Sequence, residues 1–190
     1  GCFSFYSTKI MTTGGEGGFI TTNNSDYHKV ASSLSAIGID KTASKEIYCL
    51  SGSNNRMTEL QAIAGIYQLK RLEEFVNHRN FIANLYIDSL SQLIDRGIIK
   101  LQYRSNNIRH SYWRFLVNIK SDNISRDIIK REMSRFGIIV DWPYNPLMHS
   151  QPLFHNENKL SFPNSESIAK RHLCLPMHFE IKEKDARFIV

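Results

Sequence analysis

Lys9 stands just past a short apolar and aromatic stretch, Cys2, Phe3, Phe5 and Tyr6, with Ser4 five residues before it. The glycine-dense run Gly14-Gly15-Glu16-Gly17-Gly18 follows. An amine at a strand end can attack a carbonyl carbon and hold it as a Schiff base. That chemistry needs the amine on rigid backbone, partly shielded from water, beside groups that grip a phosphorylated cofactor. A free lysine is mostly protonated at neutral pH and a poor nucleophile; burial and nearby positive charge lower its pKa. The glycine run has two readings. It is a tight hairpin reversal or a cradle of backbone N–H groups for phosphate. It does not fit GxxxxGK[ST], since no Lys-Ser/Thr follows the last glycine, nor a GxGxxG that opens a helix, since Phe19-Ile20-Thr21-Thr22 reads as a strand.

Other chemistries find less support. Cys2, Cys49 and Cys174 are an odd set, far apart, which argues against a disulfide framework or a zinc site and for a reducing cytoplasm. The pairs His149/His155 and His172/His178 are each six residues apart, unsuited to one helical face, and no HExxH occurs. No metal is expected.

The elements that must position Lys9 read as follows. Residues 2–6 form a buried strand, and residues 19–22 a second strand closed by Asn23-Asn24. Asp26 to Ile37 has helical spacing at Val30, Leu34 and Ile37, capped by Asn24 or Ser25 and ended by Gly38. Residues 40–55 have no period and read as a long loop. A long helical pattern runs from Thr58 to Leu93, and Gly97 ends it. Gly65 inside it points to close packing or a bend. Then come strands over 98–103 and 112–119, a helix over 124–136, a short strand over 138–141 and an irregular loop at 142–146. A short helix over 163–172, an extended stretch over 173–176 and a terminal helical pattern over 181–190 close the chain. Strand, strand, helix, strand is a compact α+β unit.

The chain has 190 residues, 42% hydrophobic and 22% charged, an ordinary soluble composition. No apolar run approaches the roughly 18 residues of a membrane span, and the start lacks the basic opening of a signal peptide. The net charge is +6. Its cations are interleaved with acids, as in Lys70-Arg71-Leu72-Glu73-Glu74, which describes solvated helix faces rather than a nucleic-acid surface. The lack of an initiator Met and the helical pattern running to Val190 read as a fragment of a longer protein.

Taken together, FSFYSTKIMTTGGEGGFITTN around Lys9 resembles the lysine segment of the DegT/DnrJ/EryC1/StrS family, the pyridoxal-phosphate-dependent sugar aminotransferases. Gly52-Ser53-Asn54-Asn55-Arg56-Met57-Thr58-Glu59-Leu60-Gln61-Ala62 is similar to that family's GxNxRMxExQA segment. Gln68-Leu69-Lys70-Arg71-Leu72, residues 144–149 and residues 175–178 continue the likeness in order.

The resemblance implies a fold-type-I α/β transferase, aspartate aminotransferase-like, of which this chain is the C-terminal half. Residues 1–57 would end the cofactor-binding large domain, 58–95 form a long connecting helix region, and 96–190 a small α+β domain. Lys9 matches the lysine that carries pyridoxal 5'-phosphate as a Schiff base, and Ser4 the serine that hydrogen-bonds its phosphate. Asn54 matches an asparagine that reaches the phosphate from the neighbouring subunit of a homodimer. Tyr144 and His149 fall where the family borders its nucleotide-sugar site; ordinary loop packing is the other reading. Arg56 either reaches toward the partner's site or a carboxylate, or makes a subunit-interface salt bridge; Glu16 has no evident role. The implied reaction moves an amino group from an amino-acid donor, glutamate, to a nucleotide-linked keto-sugar in the cytoplasm. The lysine acts as nucleophile and then as acid and base while the cofactor takes up electrons. A branch with histidine at the lysine position dehydrates instead, and Lys9 argues against it. The Asp that pairs with the pyridine nitrogen belongs to the other half, so the isolated chain is expected to be inactive. A non-catalytic dimerisation or sugar-binding remnant, and a phosphate-loop protein without imine chemistry, are the alternatives.

Overall fold

The computed structural model describes residues 1–103, 105, 107–154 and 161–190. His155 therefore lies outside the described residues. The chain divides into two compact units, Gly1–Phe75 and Val76–Val190.

The first unit opens with β1 (Cys2–Ser4) antiparallel to β2 (Gly18–Ile20), with Phe3 opposite Phe19 and Ser4 opposite Gly18. Phe3 and Phe19 stack at 4.6 Å. The strands are shorter than their residue pattern predicts, and β1 is exposed rather than buried. Phe3 keeps 51% and Ile20 60% of their surface in solvent, because the described residues pair this ribbon with no third strand. Helix α1 (Ser25–Ser35) starts on Asn24, whose side chain accepts the N–H groups of Asp26 and Tyr27. It stops two residues before the apolar spacing does, because Ile37 and Gly38 turn to φ values of 57° and 88°.

Helix α2 (Glu59–Lys70) begins with a capping box between Thr58 and Gln61. The expected continuous helix is broken into α2, α3 (Leu72–Ser89) and α4 (Ser91–Asp95). The first break falls at Arg71, whose N–H tightens onto Gln68 and Leu69 carbonyls. Its guanidinium then pairs with Glu74 at 2.9 Å. Gly65 is a packing site and not a bend: a Cβ there would meet Thr13 Cγ2 at 3.0 Å.

In the second unit β3 (Ile99–Leu101), β4 (Phe115–Ile119) and β5 (His172–Leu175) form an antiparallel sheet in that order. Phe115, Val117 and Ile119 alternate inward and join Ile82, Ala83 and Tyr86 of α3, all three fully buried, in one core. Tyr86 meets Phe115 edge-on at 5.1 Å and donates its hydroxyl to the Pro176 carbonyl. Burial raises the Tyr86 phenol well above its ordinary range. Arg79, also buried, donates to the carbonyls of Tyr112, Trp113 and Met177. Helix α5 (Arg126–Arg135) is capped by Ser125. The strand expected over 138–141 is a single bridge from Asp141 to Cys174, though Ile138 and Val140 are buried. Helices α6 (Pro163–Arg171) and α7 (Glu183–Ile189) complete the unit.

Candidate active site

Lys9 sits on a loop tied at both ends to one residue. Leaving β1, Phe5 donates its N–H to the Gly17 carbonyl at 2.8 Å, and Ser7 donates to Gly15 at 2.9 Å. The Lys9 N–H bonds the Tyr6 carbonyl at 2.9 Å. The chain then returns, and the Phe5 carbonyl accepts from Thr12 Oγ1 at 3.0 Å and from the Thr13 N–H at 3.3 Å. Phe5 and Met11 are buried beneath this loop, and Lys9 is half-buried on it. The backbone that carries the amine is thus held by hydrogen bonds on both sides of Lys9.

Ser4 is exposed at the end of β1. Its Oγ accepts the Tyr6 N–H at 3.3 Å, which leaves the hydroxyl proton to be donated outward. The glycine run makes the reversal between β1 and β2, with Gly14 and Gly15 at φ of 85° and 145°. It folds back on the segment that follows β1, with Ser7 N–H to the Gly15 carbonyl and a parallel bridge between Tyr6 and Gly15. The Glu16 carbonyl, between Gly15 and Gly17, accepts from both Thr13 Oγ1 and Gln61 Nε2 at 2.9 Å.

Asn54 and Arg56 lie together on a second exposed loop of the same unit. Arg56 Nε donates to Asn54 Oδ1 at 2.9 Å. That bond occupies the amide oxygen and leaves Nδ2 as a donor, the polarity a phosphate requires. The loop is fastened to the end of α1 by an antiparallel bridge from Asn54 to Ala36 and by Ser53 N–H to the Leu34 carbonyl at 2.9 Å. Gly38 and Gly52 permit this approach. A Cβ on Gly52 would run into Gly38 N and lie 2.7 Å from the Leu34 carbonyl.

Tyr144 and His149 are in the second unit, apart from the other four in the chain's division. Tyr144 is exposed at φ 62°. His149 Nε2 is 3.4 Å from Glu166 Oε1, and its ring lies 4.9 Å from that of Phe162. Nearby Trp142 carries Arg126 at 4.1 Å and Lys130 at 4.4 Å over its ring. Thr13 and the Glu16 carbonyl have no sequence signal, and Gln61 stands in the sequence only as part of the family-like segment 52–62.

A half-buried amine, a hydroxyl and a carboxamide N–H are groups whose chemistry fits the aldehyde and phosphate of pyridoxal phosphate. A model of the DegT/DnrJ/EryC1/StrS aminotransferase family matches residues 1–190.

The chain belongs to that family.

Among curated relatives, GDP-perosamine synthase of Caulobacter vibrioides is 30% identical over 184 residues, covering 96% of this chain and 48% of that protein. Among solved structures, the aminotransferase TlmJ from Streptoalloteichus hindustanus superposes with a TM-score of 0.85 at 26% identity, over 100% of this chain and 49% of that one. The ntda structure from Bacillus subtilis, solved with bound cofactor PMP, is 27% identical with a TM-score of 0.82, over 97% of this chain and 43% of that one. The chain thus spans about half the length of the relatives it matches. The family is pyridoxal-phosphate dependent, and the fold is that of the fold-type-I transferases. No helix of the described residues is long and apolar enough to cross a membrane.

Proposed function

We propose that this chain is the lysine-bearing C-terminal half of a cytoplasmic, homodimeric aminotransferase that moves an amino group from glutamate to a nucleotide-linked keto-sugar. The observation that carries the reading is Lys9, half-buried on a loop closed through Phe5, in a chain the family model matches throughout. The named function of the Caulobacter relative, an amino-sugar nucleotide synthase, supports the substrate class.

When bound, pyridoxal phosphate supplies an electron sink for the carbanion formed at the amino acid's Cα. Lys9 Nζ would hold the cofactor by its aldehyde carbon. As a free amine, the same Nζ would take the proton from the donor's Cα and return it as an acid. Ser4 Oγ donates its free proton to the phosphate. Asn54 Nδ2, oriented by Arg56, donates to the phosphate of the neighbouring subunit. The remaining guanidinium N–H groups of Arg56 are suited to a substrate carboxylate. Tyr144 and His149 border the sugar nucleotide, with Glu166 fixing the His149 ring. Residues 1–57, 58–95 and 96–190 then correspond to the end of the large domain, a connecting helix region and the small domain.

The test is to assay the full-length protein with glutamate against a panel of nucleotide keto-sugars. Amino transfer to at least one is expected, with Lys9→Arg slower by about a thousandfold or more. Absence of transfer to every member, or full activity in Lys9→Arg, contradicts the proposal.

A further inference from the structure

We infer that Gln61 is a positioning residue for Lys9: its amide holds α2 to the hairpin from which the lysine loop springs. The inference rests on the functional reading of Lys9 above and deepens it.

Gln61 performs two separate jobs with the two ends of one carboxamide. Its Oε1 accepts the Thr58 N–H at 2.9 Å and the Thr58 hydroxyl at 3.0 Å, which caps α2. Its Nε2 donates to the Glu16 carbonyl at 2.9 Å, 45 residues away in the glycine run. For capping alone, glutamate serves as well as glutamine at this place, and its charge would also favour the positive end of the helix. A carboxylate cannot donate to a carbonyl. The requirement for an amide therefore comes from Glu16 and not from the helix.

The bond is continuous with the lysine loop. The same Glu16 carbonyl accepts from Thr13 Oγ1 at 2.9 Å, and Thr13 is 2% exposed. The Thr13 N–H in turn bonds the Phe5 carbonyl that closes the loop around Lys9. Thr13 has no room to shift: a Cβ on Gly17 would strike its Oγ1, and a Cβ on Gly65 of α2 would come within 3.0 Å of its Cγ2. One amide, one buried threonine and two glycines thus register the first turn of α2 against the lysine loop. A misplacement of about 1 Å at a reacting group can cost on the order of a hundredfold in rate.

Three variants of the full-length protein separate positioning from support. Gln61→Glu keeps the cap and loses the donor to Glu16, Gln61→Met loses both, and Thr58→Ala weakens the cap but keeps the donor. Each is measured for Tm, for the rate of pyridoxal phosphate loss, and for the pH midpoint of the yellow absorbance of the Lys9-bound cofactor. Gln61→Glu is expected to lower Tm less than Gln61→Met does, to lose cofactor roughly tenfold faster than wild type, as removal of one hydrogen bond allows, and to shift the midpoint. Gln61→Met is expected to do the same with the larger fall in Tm. Thr58→Ala is expected to lower Tm and leave the midpoint in place. Wild-type retention and midpoint in Gln61→Glu overturn the inference, as does an equal shift in Thr58→Ala or failure of Gln61→Glu to fold. A wild-type protein with no cofactor on Lys9 defeats the functional reading as well, so the two failures are distinct.

Discussion

In the unit from Val76 to Val190, the sheet turns Phe115, Val117 and Ile119 onto Ile82 and Tyr86, so that burial of apolar surface holds it together. In the unit from Gly1 to Phe75, β1 and β2 leave Phe3, Phe19 and Ile20 largely in solvent, and α2 leaves Leu60, Ile63, Ile66 and Leu69 exposed. The first unit does carry a set of directional contacts: the Phe5 carbonyl closing the lysine loop, the Glu16 carbonyl gathering two donors, and Gly38 against Gly52. Hydrophobic burial is non-directional and tolerates small displacements, whereas hydrogen bonds weaken steeply as distance and angle depart from ideal. Lys9 lies on a loop closed by directional bonds, and the buried apolar cluster lies in the other unit of the chain.

Substitutions can break this contrast. The largest effect is expected from Tyr86→Ala, which empties a fully buried ring site facing Phe115 and removes the donor to Pro176. A loss of about 3–5 kcal/mol is expected. Thiol labelling reports it locally: Cys174 is buried in this unit, and burial raises its thiol pKa, so it should react only when the unit opens. A loss under about 1 kcal/mol would show that the core is not what holds the second unit. Gly52→Ala is next. The new methyl group meets backbone at Gly38 and Leu34, for which about 1–3 kcal/mol is expected. Hydrogen exchange should quicken at Ser53 and Asn55, whose N–H groups bond Leu34 and Ser35, while Cys174 labelling stays unchanged. Faster Cys174 labelling in that variant would erase the distinction between the units.

The smallest effect is a pH dependence. The hydroxyl and N–H of Thr42 bond the Asp40 carboxylate and hold its pKa below the ordinary 3.8. A carboxyl depressed in the folded state stabilises fully above its unfolded value, and that contribution is lost as pH falls through the folded value. The Thr42 amide resonance should therefore titrate below pH 3.8, in the first unit only. Titration at or above that value would mean that the turn is not ordered by its carboxylate.

Local rules made much of this legible. Asn24 and Thr58 announce the starts of α1 and α2 because caps act on the next two or three residues. Gly97, at φ 68°, closes the helical run as its position implies. The spacing of Ser4 and Lys9 carries the family likeness, and the structure places both on one hairpin. The helix breaks at Arg71 and Leu90 were not legible, because apolar spacing continues across both. Nor was the exposure of β1, since residue type does not say which strand will be covered. Asp141 looked like part of a strand because Ile138 and Val140 are buried, yet only one pair of backbone bonds forms there. Glu16 was mute because its carbonyl acts and not its side chain, and a backbone oxygen has no residue identity. Gln61 showed only its place in the family-like segment, since its bond to Glu16 spans 45 residues.

The most direct measurement is to incubate the full-length protein with pyridoxal phosphate, reduce it with borohydride and map the modified peptide. The account predicts a pyridoxyl group on Lys9, abolished in Lys9→Arg. A group on another lysine, or none in the wild-type protein, would contradict it.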